Sequence, residues 1–302
     1  MFKLTVLGSG SAIPSVHRGP SSHVLTVNGK LYLIDCGEGT QLRLRKARIK
    51  MQSIDKVFIS HLHGDHYYGL IGLISTMHLL GRAKDIDIYG PAELEGILRL
   101  QLQVARTDLK FNLNFHAIKE RTNHVICEDK HVIINAFPLK HRIPTWGFRF
   151  QEKEKKPNID KIFVAKYQPE IDEIAAIKKG EDYVTSSGEL IPNEEITRPA
   201  EEARSYAYCS DTKYDEEIIP YVYGTTLLYH EASFGNDLKH EAANRFHSTA
   251  EEAARIAKEA NVKQLLIGHF SARYKEVDVL INEAKAVFSN TVGAEDNITI
   301  EL

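Results

Sequence analysis

The chain has 302 residues, of which 43% are hydrophobic and 26% are charged, as in an ordinary soluble globular protein. Its net charge of −3 excludes a global basic field that would attract nucleic acid, but it does not exclude a local basic patch. The three cysteines (Cys36, Cys127 and Cys209) show no C-x-x-C spacing, which argues against a disulfide framework and a thiolate zinc site.

The N-terminus runs directly into a strand and lacks the features of a signal peptide. No apolar run approaches the ~20 residues that a transmembrane helix needs. An odd number of unpaired cysteines also suits a reducing compartment. We therefore expect a cytoplasmic protein without a membrane segment.

The first elements in chain order are strands and turns. Residues 4–7 are predicted as a strand, and the glycine-rich loop after it (8–14) lacks both the lysine of a P-loop and the full dinucleotide fingerprint. Residues 24–27 and 30–34 are predicted to form a hairpin, because Asn28-Gly29 favours the turn that matches strand twist. Residues 41–49 are predicted as a helix, and its dense cations are typical of a solvated helix face when taken alone.

The most informative stretch is a short buried strand, 57–59, followed by a cluster of metal-binding side chains. The possible ligands are His61, His63, Asp65 and His66. In an extended segment residues i and i+2 point the same way, so His61 and His63 can reach one ion. Gly64 is expected to allow a sharp turn that directs the next two ligands to a second point nearby. The H-x-H-x-D-H spacing therefore predicts a metal site.

The remaining chain alternates between strands and helices. Helices are predicted at 68–80, 91–104, 171–179 and 250–260, and strands at 86–89, within 109–137, and at 145–150, 205–211, 225–233 and 264–269. Thr249 and Glu252 have the spacing of a capping box. Residues 151–204 are highly charged with few side chains to bury, so this segment could project from the body. The pattern is compatible with two sheets packed back to back with helices outside.

Three further polar residues stand where a predicted strand ends, the position expected for side chains that face a cleft. They are His141, Asp211 and His269. Each could be a ligand or an ordinary hydrogen-bonded or exposed side chain. Catalytic zinc takes nitrogen and oxygen ligands and keeps one position open for water, so these residues could complete the site that the H-x-H-x-D-H loop begins.

The chain resembles the ribonuclease Z family of the metallo-β-lactamase superfamily over nearly its whole length. The resemblance depends on His141 and on GSGSAIP (8–14), DCGEGT (35–40), SHLHGDH (60–66), SDT (210–212), HEAS (230–233), HST (247–249) and GHFSARY (268–274). The H-x-H-x-D-H loop alone indicates the superfamily, and the HEAS and HST pair narrows it to this family. The resemblance implies an α/β metallo-β-lactamase fold, a four-layer αββα sandwich. It further implies a single domain over 1–302 with an inserted, projecting flexible arm at about 151–204.

The resemblance also implies the site. Two Zn²⁺ ions per subunit would be held by His61, His63 and His141, by Asp65, His66 and His269, and by Asp211 as the bridge. A hydroxide between the ions would attack the phosphodiester, with Asp65 as the proton acceptor. His247 would give a proton to the departing ribose oxygen and Glu231 would position it. The alternative role for His247 is capping of the helix that follows Thr249.

The implied function is a zinc-dependent endoribonuclease that removes the 3′ trailer from precursor tRNA and leaves a tRNA 3′-hydroxyl. Family members are usually homodimers in which one subunit's arm serves the other's site, and we expect a homodimer here. The arm departs from the family pattern because residues 163–170 replace its usual Gly-Pro element. The cations expected to contact RNA are Arg43, Arg45, Lys46, Arg48 and Arg273.

Two other functions are kept beside this one. The first is a two-metal hydrolase of small phosphodiesters or sulfate esters, which would not need an RNA-gripping arm. The second is a metal-dependent RNA-binding protein without catalysis, which the complete set of ligand positions disfavours. The remaining histidines are interpreted as ordinary surface or core residues: His17, His23, His78, His116, His124, His131 and His240.

Overall fold

The computed structural model describes residues 1–302. The chain divides into two compact units, the larger formed by Met1–Gln151 with Arg204–Leu302 and the smaller by Glu152–Ala203. The larger unit contains two seven-stranded mixed sheets. No helix of the chain combines the length and the apolar character that crossing a membrane requires.

The first sheet combines antiparallel and parallel strands. In spatial order its strands are Thr299–Glu301, Phe2–Gly8, Ser22–Val27, Lys30–Ile34, Ile54–Phe58, Ile86–Gly90 and Leu113–Ala117. The first three pairings are antiparallel and the next three are parallel. The predicted hairpin is confirmed, with φ of 47° at Asn28 and 83° at Gly29, the left-handed values that a two-residue turn between twisted strands requires.

The second sheet has the reverse arrangement, with parallel strands at one edge. Its strands are Thr291–Gly293, Gln264–Gly268, Leu227–Glu231, Ser205–Cys209, Thr145–Glu152, Val132–Leu139 and His124–Glu128. The first three pairings are parallel, and Ser205–Cys209 then pairs antiparallel with Thr145–Glu152. The carboxyl ends of the parallel strands of both sheets are followed by the polar residues of the site.

The α-helices of the larger unit are Thr40–Lys46, Gly64–Tyr67, Gly69–Leu79, Glu93–Val104, Ile219–Val222, Lys239–Arg245, Ala250–Glu259 and Asp278–Val287. The capping box of Thr249 and Glu252 is confirmed, since each side chain accepts from the other's backbone N–H. The helices Lys239–Arg245 and Asp278–Val287 were not among the predicted elements.

The sharp turn predicted at Gly64 is wrong, because Gly64 begins the short helix Gly64–Tyr67. Its φ is not among the positive values of the chain. A Cβ at Gly64 would lie 2.2 Å from the ring of Tyr68, so a larger residue there would require that exposed ring to move. From this helix Asp65 and His66 form a group of ligand atoms with His269, separate from the group of His61 and His63.

Alternating side chains divide the larger unit into four layers. Tyr32 and Ile34 belong to the cluster between the sheets, whereas Leu33 packs outward with the cluster that includes Leu70 and Met77 of the helix Gly69–Leu79. On the second sheet, aromatic rings alternate in the same way with aliphatic residues that pack against the helices Ala250–Glu259 and Asp278–Val287. The predicted four-layer αββα sandwich is confirmed.

The smaller unit has a core of its own. Its helices are Lys161–Tyr167, Ile171–Ile177 and Asn193–Ile196, and its paired strands are Asn158–Ile159 with Thr197–Arg198 and Tyr183–Val184 with Leu190–Ile191. Phe163, Ile177, Tyr183 and Ile196 are buried together. The helix Lys161–Tyr167 was not predicted, although Asp160 is a typical N-cap and accepts from two backbone N–H groups. That this unit acts as an RNA-gripping arm stays a prediction.

Candidate active site

The predicted ligands converge where strands of the two sheets end. His61 lies beyond Ile54–Phe58, Asp211 beyond Ser205–Cys209 and His269 beyond Gln264–Gly268. Parallel strands end at the same edge of a sheet, so each contributes a side chain to one region. The structure therefore brings together residues that are more than 200 positions apart in the chain.

The first group of ligand atoms forms around His63. Its Nδ1 lies 3.1 Å from Nε2 of His61 and 3.1 Å from Nε2 of His141. The Oδ2 atom of Asp211 lies 3.6 Å from Nε2 of both His61 and His141. These four residues are the set that the family resemblance assigns to one ion and the bridge.

The second group forms around the other oxygen of Asp211. Its Oδ1 lies 3.3 Å from Nε2 of His66 and 3.2 Å from Nε2 of His269. The Oδ2 atom of Asp65 lies 3.4 Å and 3.3 Å from the same two nitrogens. Asp211 thus presents one oxygen to each group, which is the geometry of a bridging carboxylate.

The hydrogen bonds of His141 and His269 show that the ring nitrogens facing the cluster carry no hydrogen. Nδ1 of His141 lies 2.9 Å from the carbonyl oxygen of Phe246, which can only accept, so the neutral ring carries its hydrogen there. The hydroxyl of Ser233 donates to Glu231, so Nδ1 of His269 at 2.9 Å donates to it in turn. In each ring Nε2 is left as an acceptor that faces the cluster.

A metal ion fits this donor set. Buried Nε2 of His66 and Oδ1 of Asp211 have no hydrogen-bond partner, and facing acceptors repel unless a cation lies between them. Ligands at 2.0–2.2 Å in tetrahedral geometry are separated by about 3.3 Å, close to the distances found here. The cluster of His and Asp side chains is therefore suited to metal binding.

Burial sets the charge of the cluster. It lowers the pKa of His61 to about 4 and also lowers the pKa of His63 and His141, so these rings are neutral, the form that binds metal. Burial opposes the charge of Asp211, but His269, His66 and His61 hold its pKa well below the ordinary value. Burial likewise opposes a proton on His66, but the carboxylates of Asp65, Asp211 and Asp35 raise its pKa, so the surroundings of this ring attract positive charge.

His247 and Glu231 lie beside this cluster as a hydrogen-bonded pair. Nδ1 of His247 is 2.8 Å from Oε1 of Glu231, and the carboxylate also accepts from the backbone N–H groups of Thr212, Ser233 and Ser248. Burial disfavours the charged ring, but Glu231 and two more carboxylates raise the pKa of His247 to about 9. The ring is therefore protonated at neutral pH, which a helix cap alone would not require.

Asp35 is a site residue that the sequence pattern did not single out. Its fully buried carboxylate accepts from Nδ1 of His66 at 2.7 Å, from the hydroxyl of Tyr208 at 2.7 Å, and from the backbone and hydroxyl of Ser60, both at 2.8 Å. The available signal was an aspartate directly after a strand, the same feature that marked Asp211. Its φ of 53° is left-handed, a conformation that is uncommon for a residue with a side chain.

A cavity of about 550 Å³ opens over the cluster. Asp65, His141, Asp211, His247 and His269 line it. Arg142 and Arg245 also line it, and neither of them was a predicted site residue.

The five cations predicted to contact RNA do not line this cavity. Arg43 forms an ion pair with Asp296 at 3.4 Å and is only 20% exposed, so it belongs to the internal structure. Arg45, Lys46 and Arg48 are exposed. Arg273 lies 3.6 Å from Glu241. The three exposed cations are free to act at a distance from the cluster.

Comparisons with known proteins identify the family. A protein of Bacteroides fragilis named Ribonuclease Z is 46% identical over 301 residues, which cover 100% of this chain and 99% of that protein. A Ribonuclease Z of Porphyromonas gingivalis is 42% identical with the same coverage.

The chain belongs to the ribonuclease Z family.

Solved structures agree with this assignment. Human tRNase Z, short form, matches with a TM-score of 0.73 and 28% identity over 99% of this chain and 98% of that one. The metallo-β-lactamase fold protein YhfI from Bacillus subtilis matches with a TM-score of 0.71 at 21% identity, over 100% of this chain and 99% of that one. The second match bears on the fold alone, and it confirms the predicted metallo-β-lactamase fold of this chain.

The family model described as Anti-Pycsar protein Apyc1 also matches residues 2–155, about half of the chain. By this match the chain belongs to the group that the model describes as well. The matched part includes the loop from His61 to His66 and His141, but it ends before Asp211 and His269. The full-length relatives therefore carry the assignment to ribonuclease Z.

Proposed function

We propose that this member of the ribonuclease Z family cleaves precursor tRNA endonucleolytically and removes the 3′ trailer, leaving a 3′-hydroxyl on the tRNA. The observation that carries the proposal is the pair of His247 and Glu231 beside a complete double set of metal ligands in one cavity. A metal-dependent RNA-binding protein would need neither a protonated histidine nor a buried carboxylate to hold it.

Two zinc ions are the proposed cofactors. One would be held by His61, His63 and His141, the other by Asp65, His66 and His269, and Asp211 would bridge them. When bound, such ions activate water at neutral pH and neutralise charge on a phosphodiester. His and Asp ligands also accept manganese or iron, so the identity of the ion rests on the family resemblance.

The protons move through two side chains of this chain. The oxygen of water forms a bond to phosphorus while the bond from phosphorus to the tRNA 3′-oxygen breaks. Asp65 receives the proton of the attacking water. His247 donates a proton to the departing 3′-oxygen, because Glu231 holds its Nδ1 and leaves Nε2 free for the cavity.

The finer parts of the proposal concern assembly and place. We propose that the unit Glu152–Ala203 is a flexible arm that grips the tRNA within the single-domain chain, and that the protein is a homodimer. Both follow from the family resemblance. The cytoplasm is the proposed compartment because precursor tRNA is the proposed substrate, and the three free, buried cysteines suit a reducing environment.

Incubation of the purified protein with a 3′-extended tRNA, with zinc or with a chelator, tests the function. We expect one cut at the 3′ end of the tRNA, a 3′-hydroxyl on the tRNA fragment, and no product with the chelator. Parallel reactions contain a small phosphodiester and a sulfate ester. Turnover of these small esters without cleavage of tRNA would instead support a small-molecule hydrolase.

A further inference from the structure

The cavity over the metal-ligand cluster is lined by two chemically different groups of residues. His141 and His247 belong to the first group, with ring centroids 5.2 Å apart. Arg142 follows His141 directly, and its Nη2 donates to the carbonyl oxygen of Asn244 at 3.2 Å, next to Arg245. Arg142 and Arg245 both line the cavity, and each is a close neighbour in the chain of one of these two histidines.

Arg142 and Arg245 each have N–H donors that are not used in hydrogen bonds within the protein. Arg245 uses Nε to bond Glu241 at 2.6 Å, and Arg142 uses one terminal nitrogen for Asn244, while both side chains are exposed. A guanidinium offers five N–H donors in a fixed fork that matches a phosphate. They are the only lysine or arginine side chains that line the cavity.

The second group of lining residues has no lysine or arginine and includes an aromatic ring. Tyr68 lines the cavity, and its ring lies over Gly64, where a Cβ would approach to 2.2 Å. The residue is nevertheless 62% exposed, an unusual state for a large ring. Glu38 lines the cavity as well and is exposed, so its carboxylate would repel a phosphate there. An exposed aromatic ring without nearby cations suits a nucleobase better than a phosphate.

We propose that the cavity fixes the direction of the RNA strand. Arg142 and Arg245 bind the phosphate on the 5′ side of the last tRNA nucleotide, and Tyr68 stacks on the first base of the trailer. The direction rests on the proposed function, in which His247 gives its proton to the 3′-oxygen of that last nucleotide. The phosphate that precedes this ribose then falls beside the two arginines, and the departing trailer lies toward Tyr68.

Two modified RNAs test each contact separately. One 3′-extended tRNA carries an uncharged methylphosphonate on the 5′ side of the last tRNA nucleotide, and the other an abasic first trailer nucleotide. For the wild-type protein we expect each modification to lower kcat/KM about tenfold, chiefly through KM, as for one charge-assisted phosphate contact or one stacked base.

Variants of the two arginines and of Tyr68 show which of these residues contacts the phosphate and which contacts the trailer base. On unmodified tRNA the double variant R142A/R245A should have a kcat/KM about tenfold below that of the wild type. The methylphosphonate should not lower its kcat/KM further, but the abasic nucleotide should. Tyr68→Leu should respond to the methylphosphonate and not to the abasic nucleotide, while Tyr68→Phe keeps the ring and responds to both. Arg106→Ala, an exposed arginine outside the cavity, is the matched control.

The outcomes are distinct. The crossed pattern, in which R142A/R245A is insensitive to the abasic nucleotide and Tyr68→Leu to the methylphosphonate, would reverse the direction and overturn the proposal. Full sensitivity of all variants to both modifications would also overturn it, because neither contact would then exist. Failure of the wild-type protein to cleave any 3′-extended tRNA would refute the proposed function instead.

Discussion

The imidazole of His66 and the carboxylate of Asp35 are joined by a hydrogen bond of 2.7 Å between Nδ1 and Oδ2. Ser60 and Tyr208 also donate to Asp35, so this buried carboxylate is held by both sheets. Because Nδ1 is occupied, Nε2 of His66 faces Asp65 and Asp211. Asp35 is not itself a proposed metal ligand, but it orients the ring of His66, which is one.

Asp35→Asn should weaken metal binding at the group of Asp65, His66 and His269. An amide nitrogen in place of one oxygen cannot accept from His66, and removal of such an orienting partner typically lowers metal affinity about 10- to 100-fold. Competition with a chromogenic chelator measures the affinity. Asp108→Asn, an exposed carboxylate away from the cluster, is the control. Equal affinities of the two variants would refute the orienting role.

The pH dependence of cleavage should report the proton on His247. Burial opposes the charge of His247, but Glu231, Asp211 and Asp65 raise its pKa to about 9, and cations bound near Asp65 and Asp211 would bring it down from there. Cleavage should therefore decline on the basic side, as the proton donor is lost. His247→Ala should lower the rate roughly 10²- to 10⁴-fold and abolish that decline. Rates from pH 5 to 10 on 3′-extended tRNA provide the measurement.

Glu231→Gln separates the effect of the carboxylate from that of the ring. Without the negative charge the pKa of His247 moves back toward 6.5, so the decline should begin at lower pH. The sign for stability follows from the same pair. The raised pKa of His247 contributes stability that is complete below about pH 6.5 and is lost as the pH rises through about 9. A Gln variant with an unchanged pH profile would contradict this role for Glu231.

Metal removal should destabilise the fold. Ligand at 100 times its dissociation constant stabilises a native state by about 2.7 kcal/mol, which corresponds to roughly 4 °C in Tm for a chain of this size. Calorimetry with excess zinc and with a chelator gives the difference. The double variant H61A/H63A should show a smaller shift than the wild type. Coincident melting curves of the wild type in both conditions would argue against a metal-binding cluster.

The local part of the site was predictable from sequence, and the long-range part was not. The spacing of the ligands within residues 61–66 is enough to predict a metal site. His141, Asp211 and His269 could be found because each follows a strand. Asp35 was missed since its importance lies in donors up to 173 positions away. Arg142 and Arg245 were missed for the same reason, because only the packing of two distant loops brings them together.

The exposed cations Arg45 and Lys46 of the helix Thr40–Lys46, together with Arg48 beyond its end, should bind RNA through charge. The triple variant R45A/K46A/R48A should bind 3′-extended tRNA more weakly, and its affinity should depend less steeply on salt, by up to about 0.7–0.9 in slope for each phosphate that is no longer neutralised. Arg43→Ala is the informative comparison. It removes a cation that pairs with Asp296, so it should lower the melting temperature rather than the salt slope. An unchanged slope in the triple variant would exclude this helix as an RNA-binding surface.

Removal of the smaller unit tests its proposed role as an arm. Ser205 pairs with Gln151 in the second sheet, so a four-residue Gly-Ser linker can replace residues 153–203 without disturbing either strand. The buried cluster of Phe163, Ile177, Tyr183 and Ile196 is removed completely with the deleted segment, so no part of that core remains exposed.

The shortened protein should process 3′-extended tRNA at least 10²-fold more slowly, an order-of-magnitude expectation for removing one part of a multivalent interaction. Its turnover of a chromogenic phosphodiester should fall far less, because the cavity lies wholly in the larger unit. Equal decreases on both substrates, with an intact melting transition, would show that the smaller unit supports the catalytic site rather than the grip on tRNA.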